Sequence, residues 1–330
     1  MVSIKKYINL SRNDLVELVN SKYAEQTSST LKAFEEALKR IEIVYGSSIA
    51  NLKFEFISKP GELVEKMILR NYSENTIINM LSNLCKICKV CDLNSKYINL
   101  IRGYMYNYRK SLDAEKQQNI KSEYETTNWV EWQDIHKEVL LLVPYYLDNN
   151  NNISKLDYMR FLLLALFVLH TPRRYGNYMD MDVFTTNMKL NALLDIKNRN
   201  FLLIDTTSTT EYTFIFNKYK TSKFIGSQIY KVIDIDLIQL LDKWFNNYNT
   251  DKRYLFINSK GDEIKRTTII EQMKLITKEI YKKSFSVDIL RHSFISNFIA
   301  SNPTIQKKIK IAYELGQTYK PQQLDFYNRT

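Results

Sequence analysis

Between Phe201 and Ile235 the chain stops spacing its apolar residues like a helix and begins to alternate them. FLLID, EYTFIFN and QIYKVIDI are short β-branched and aromatic runs with polar breaks between them, the pattern of a three-stranded antiparallel meander. Helical periodicity lies on both sides. It runs near Trp132 to Leu142 and Lys155 to His170, then at Leu237 to Trp244, Thr268 to Tyr281, the LRHSF segment and Ile305 to Leu315. Helices wrapped around one small sheet make an α+β, mainly α, domain.

The first 110 residues carry no such strand signal. Ser11 can cap a helix through Leu15 and Leu18, and Thr30 a second in which Leu31, Phe34, Leu38 and Ile41 recur at three and four until Gly46 stops it. After Pro60-Gly61, Ser73 opens a helix bearing Ile77, Leu81 and Leu84, and Tyr97 to Tyr108 is a further one. At 330 residues, 45% of them hydrophobic, two cores are expected. The all-helical domain is set at 1–110. A polar, acidic stretch without apolar period, 111–127, reads as the linker, and 128–330 as the second domain. Trp129 and Trp132, three apart just beyond it, read as core anchors.

The formal charge of +11 suggests a polyanionic partner. Basic residues outnumber acidic ones in 1–110 and in 128–330, and the balance reverses in 111–127. The longest apolar run, FLLLALFVLH, is too short to span a bilayer, and no charged-then-apolar leader opens the sequence, so a soluble intracellular protein is expected. Cys85, Cys88 and Cys91 in CKICKVC have no fourth cysteine and no nearby histidine, so they read as small apolar residues on a helix face.

Motifs for nucleotide hydrolysis, dinucleotide redox and zinc hydrolysis are missing: there is no P-loop, GxGxxG, HExxH or GxSxG. Asp180 and Asp182 in MDMD read as a loop leading into a strand, and no metal site is expected. What stands out is a set of cations and one phenol: Arg173 and Arg174 in TPRRYGNY, Lys220 in NKYKTSK, Arg291 and His292 in LRHSF, then LGQ at 315–317 and Tyr327.

In that order, these residues resemble the tyrosine recombinase (phage-integrase) family, whose catalytic domain shares its chemistry with type IB topoisomerases. The resemblance covers roughly 122–330. LRHSF and the LG followed by a tyrosine are its specific pieces. The helical domain resembles the family's core-binding domain in class, not in motif.

The resemblance implies catalytic roles for Arg174, Lys220, Arg291, His292, Gln317 and Tyr327. TPRR stands where the family has TGLR, so Arg174 would hold a non-bridging phosphate oxygen with its planar fork, Arg173 being the fallback. Lys220 would protonate the departing 5′ oxygen, with Arg173, Lys218 and Lys223 touching DNA. Arg291 would offset charge growing on the phosphorane. Tyr327, ten residues after Gln317 where nine is commoner, would be the nucleophile, Tyr319 and Tyr313 being the alternatives. Three positions depart from the family pattern: Asn177 stands for an acid, Asp288 for a histidine or lysine, and Gln317 for a histidine.

The activity implied is site-specific cleavage and rejoining of double-stranded DNA through a 3′-phosphotyrosyl intermediate, with neither metal nor nucleotide cofactor. A homo-tetramer on two synapsed core sites, the two domains clamping the duplex, and a mobile-element or viral integrase in the host nucleus or another DNA-containing compartment complete the expectation. A type IB topoisomerase and a catalytically degenerate DNA-binding relative are the alternatives.

Overall fold

The computed structural model describes residues 9–22, 28–117, 119–179, 181–185, 190–318 and 328–329. The chain divides into two compact units, Met1–Gln118 and Asn119–Thr330.

Among the described residues every regular element of the first unit is a helix: α1 (Arg12–Lys22), α2 (Ser28–Tyr45), α3 (Glu55–Ser58), α4 (Pro60–Leu69), α5 (Glu74–Val90) and α6 (Ser95–Gln117). Ser73 caps α5 as expected, its hydroxyl accepting from the Thr76 N–H at 3.3 Å. Thr30 does not cap α2, which already begins at Ser28. Pro60 stands at the start of a helix. It is the first residue of α4, a position where its missing N–H costs nothing. Phe34, Leu38 and Ile41 of α2, Met67 of α4, Ile77, Leu81 and Leu84 of α5 and Ile101 of α6 are wholly buried together. Each large apolar side chain so buried stabilises the unit by about 1.5–3 kcal/mol. Cys88 and Cys91 join this core, where burial pushes their thiols up to about 12 and about 11.

The second unit holds α7 (Glu123–Asn128), α8 (Trp132–Leu147), α9 (Lys155–Leu169), β1 (Asp182–Thr185), α10 (Leu190–Asp195), β2 (Asn200–Asp205), β3 (Glu211–Phe216), α11 (Ser222–Ile225), β4 (Gln228–Lys231), α12 (Ile235–Lys243), α13 (Arg266–Tyr281), α14 (Val287–Ala300) and α15 (Ile305–Glu314). Much of the stretch 111–127 expected as a linker is therefore helical. It contains the end of α6 and the start of α7, where Ser122 and Glu125 form a reciprocal capping box. Polarity alone does not separate a linker from a capped helix.

The sheet has four strands in the order β1-β2-β3-β4, not three, and is mixed. The meander β2-β3-β4 is antiparallel as expected, with Leu202 opposite Phe214 and Phe214 opposite Tyr230. The extra strand, β1, follows the MDMD loop and runs parallel to β2, which requires a crossover, and α10 lies in it. Alternation then sorts the side chains. Leu202, Ile204, Phe214 and Phe216 face the main core, while Phe201 and Ile215 pack with Leu193 of α10 on the other side.

Helix α9 is apolar on every face because α8, α12 and α13 all pack on it. Its residues Phe161 to Phe167 are at most 1% exposed. Trp129 is also buried in this core, and Trp132 packs at its margin. No helix among the described residues is long and apolar enough to cross a membrane.

Candidate active site

Where α9 ends, residues 171–174 run without regular structure into a 3₁₀ turn at Tyr175–Asn177. The residue before a proline is biased away from the helical region, so Pro172 disfavours any continuation of α9 through Thr171. Thr171 donates from Oγ1 to Glu314 Oε2 at 2.9 Å, fastening this loop to the end of α15.

The two arginines of the loop have different fates. Arg173 is wholly buried. It donates through Nη1 to the Glu314 carbonyl and through Nη2 to Gln228 Oε1, both at 2.7 Å, with its guanidinium 4.1 Å from the centre of the Phe216 ring. Arg174 is partly exposed and leads into the 3₁₀ turn. Among the described residues its guanidinium makes no hydrogen bond or ion pair.

Arg291 lies on α14, 2% exposed, and donates from Nη1 to the Pro172 carbonyl at 2.9 Å. That bond draws α14 onto the loop of Arg173 and Arg174. The phenol of buried Tyr178 reports the same convergence. Burial pushes its pKa up, and the charges of Arg173 and Arg291 both act to lower it. His292 turns another way, its Nδ1 standing 2.6 Å from Glu125 Oε1. Burial holds its pKa below the usual histidine value despite that carboxylate. Asp288 is exposed in the first turn of α14.

Lys218 and Lys220 sit in the turn after β3 and Lys223 on α11, all three exposed. Beside Lys220, Thr221 donates from Oγ1 to the Gly316 carbonyl at 2.7 Å, so the lysine turn rests on the LGQ segment. Gln228 reinforces the junction, donating from Nε2 to the Tyr313 carbonyl at 2.8 Å. Gly316 has φ +65, and a Cβ there would stand 2.5 Å from Arg173 Nη2. Gln317 is 4% exposed, and neither side-chain polar atom has a hydrogen-bond partner among the described residues. The same holds for Nδ2 of Asn177, whose backbone N–H donates to the Arg174 carbonyl.

Four segments remote in sequence therefore meet: 171–177, 217–228, the start of α14 and 313–317. Tyr327, Tyr319 and Asp180 lie outside the described residues. Tyr313 is described and is 45% exposed. Asp182 faces Arg199 at 3.7 Å. Among the described residues no cluster of three or more His, Cys, Asp or Glu is arranged to hold a metal ion.

Sequence reading passed over Gln228, Glu314, Thr221 and Glu125. For Glu125 a signal existed in the Ser122-x-x-Glu125 spacing of a capping box. For Gln228 it was a glutamine opening a strand, which burial obliges to find partners.

No protein-family model matches the chain, and no curated protein matches it either. Among solved structures it is similar to the crystal structure of XerA recombinase, with 11% sequence identity over 97% of this chain and 94% of that chain and a TM-score of 0.40.

Proposed function

We propose that the protein is a DNA strand-cleaving and rejoining enzyme, a site-specific recombinase that works through a 3′-phosphotyrosyl intermediate. The observation that carries this reading is the bond from Arg291 to Pro172, which sets the arginine of LRHSF beside the loop of Arg174 although more than a hundred residues separate them. Two cations meeting from distant segments suit a pentacoordinate phosphorus.

In this reading Tyr327 attacks the phosphorus in line. The bond from phosphorus to the 5′ oxygen breaks as the bond from phosphorus to the Tyr327 phenol oxygen forms, the phenol proton passing to solvent. Arg174 and Arg291 hold the non-bridging oxygens, and Lys220, exposed in its turn, gives its proton to the departing 5′ oxygen. The phosphodiester energy stays in the ester, so a 5′ hydroxyl reseals it. Gln317 fits the same picture. A buried amide left without partners costs about 1–3 kcal/mol per group, and a phosphate oxygen taking its N–H recovers part of that. Arg173, locked inside, serves as a strut for the site and not as a DNA contact.

The helical unit is the second DNA-binding body of the proposal. A cavity of about 550 Å³ between α5 and α6 is lined by Lys86, Lys89, Arg102 and Arg109 and by no carboxylate, which suits phosphate contacts with steep salt dependence. We assign synapsis of two duplexes by a tetramer to the same proposal.

The test is covalent trapping on a library of nicked duplexes, in which the cut fragment cannot be religated. A protein–DNA adduct that forms in EDTA and disappears in Tyr327→Phe is expected. An adduct that survives that substitution moves the nucleophile elsewhere, and no adduct on any duplex leaves a DNA-binding relative without catalysis. Relaxation of supercoiled plasmid by the monomer, with no preferred sequence, would make it a topoisomerase instead.

A further inference from the structure

The carboxylate of Glu125 divides its two oxygens between two tasks. Oε2 accepts from the Ser122 backbone N–H and from the Ser122 hydroxyl, each at 2.9 Å, completing the cap of α7. Oε1 faces away from its own helix and is shared by His292 Nδ1 at 2.6 Å and Arg329 Nε at 3.2 Å. All three side chains are largely buried, 11% exposed for Glu125 and Arg329 and 17% for His292.

His292 follows Arg291 directly on α14, and Arg329 follows Tyr327 by two residues. Arg329 is fastened to α14 a second time, its backbone N–H donating to Ser296 Oγ at 2.8 Å. Ser296 lies four residues after His292, one turn along the same face. The segment around Arg329 is thus tied to one stripe of α14, once through its main chain and once through Glu125.

We propose that Glu125 is a positioning residue, which ties the C-terminal segment carrying Tyr327 to the helix carrying Arg291. A helix cap alone does not need this arrangement: the cap is served by Oε2, and a glutamine at the same position completes such a box as well as a glutamate. The second oxygen and its charge are spent on holding His292 and Arg329. Charge-assisted bonds of this type are about twice as strong as neutral ones. The proposal rests on reading Tyr327 as the nucleophile, since only then does placing that segment matter to the reaction.

The experiment compares full-length wild type with Glu125→Gln, which keeps the cap and removes the charge, and with Arg329→Ala. Hydrogen-exchange mass spectrometry of the C-terminal peptide containing Arg329 should show exchange faster by about ten- to a hundred-fold in Glu125→Gln, the range a lost charged hydrogen bond gives. The chain has three histidines, so His292 can be followed by NMR. The charges acting on it are those of Glu125, Arg329 and Asp288. Its titration should move down in Glu125→Gln and up in Arg329→Ala, opposite signs that a general loosening of the fold does not produce.

Adduct formation on nicked DNA should slow in both variants, and the double variant should be no slower than the worse single one. Unchanged exchange and unchanged titration overturn the tie, and a loosened tail with an undiminished adduct rate overturns the positioning role. If wild type forms no adduct at all, the reading of Tyr327 fails by itself, and exchange and titration still decide whether Glu125 holds the tail.

Discussion

Nη1 of Arg291 lies 2.9 Å from the carbonyl oxygen of Pro172, so the backbone just ahead of Arg173 and Arg174 is pinned by the arginine of another helix. The contact sets the separation between the two arginine-bearing segments. It also leaves Arg174 as the loop arginine with solvent access, Arg173 being turned inward.

Arg173 and Arg174 should respond oppositely to truncation. Arg173→Ala leaves Gln228 Oε1 and the Glu314 carbonyl without their donor and opens a cavity, so it should cost about 2–4 kcal/mol of stability. Arg174→Ala should stay within about 0.5 kcal/mol of wild type while lowering adduct formation about 10²–10³-fold. Urea unfolding and the trapping assay on both variants test the pair, and the reverse pattern would make Arg173 the phosphate ligand.

Gly316→Ala should be costly for two reasons: its φ is +65, and the new methyl would stand 2.5 Å from Arg173 Nη2 and 3.1 Å from Cζ. The guanidinium is held at two points and cannot retreat cheaply. About 2–4 kcal/mol is expected from strain plus overpacking. Gly46→Ala, with φ +66 and open space around it, isolates the backbone contribution at about 1 kcal/mol. Urea unfolding of the two variants tests the difference, and equal costs would mean that the loop yields freely around Arg173.

His170 should make the second unit acid-sensitive. Burial, helped by the nearby Arg173 charge and opposed by the Thr171 carbonyl, brings its pKa down from 6.5 to about 4. The unfolded chain therefore takes up a proton near pH 6.5 while the native state resists until about pH 4. The stability held above pH 6.5 is lost as pH falls through that window, with a slope of about 1.4 kcal/mol per pH unit at most. His170→Gln should flatten the unfolding free energy between pH 6.5 and 4 relative to wild type, and parallel curves would refute the assignment.

The three cysteines should behave as core residues. With Cys88 and Cys91 fully buried and their thiols pushed up to about 12 and about 11, only half-buried Cys85 should react with a thiol reagent in the native state. All three should react in denaturant. Fast native reaction of all three would mean that the α5 region opens readily.

Much of this architecture was legible in the residues. Alternation marked β2, β3 and β4, and spacing of three and four marked the helices, because both patterns record one buried face. Strand β1 was legible only in part: the MDMD loop reads as leading into a strand, but four residues, DVFT, are too few to show a period, and nothing in them places the strand in the sheet. Helix α7 was not legible, since Ser122 and Glu125 are polar for the sake of a cap that looks like linker. Motif order singled out Arg174, Lys220 and Arg291, but not the inward turn of Arg173, which depends on Gln228 and Glu314 arriving from other elements. Side chains that only hold others in place leave no pattern of their own.

The bonds that gather the site end on main-chain oxygens: Pro172 receives Arg291, Glu314 receives Arg173, Tyr313 receives Gln228 and Gly316 receives Thr221. A peptide oxygen is supplied by every amino acid alike. The acceptor positions, Gly316 aside, are thus at liberty to exchange their side chains over evolutionary time while the donors stay in register, and two chains joined in this way can drift apart in spelling long before they differ in shape.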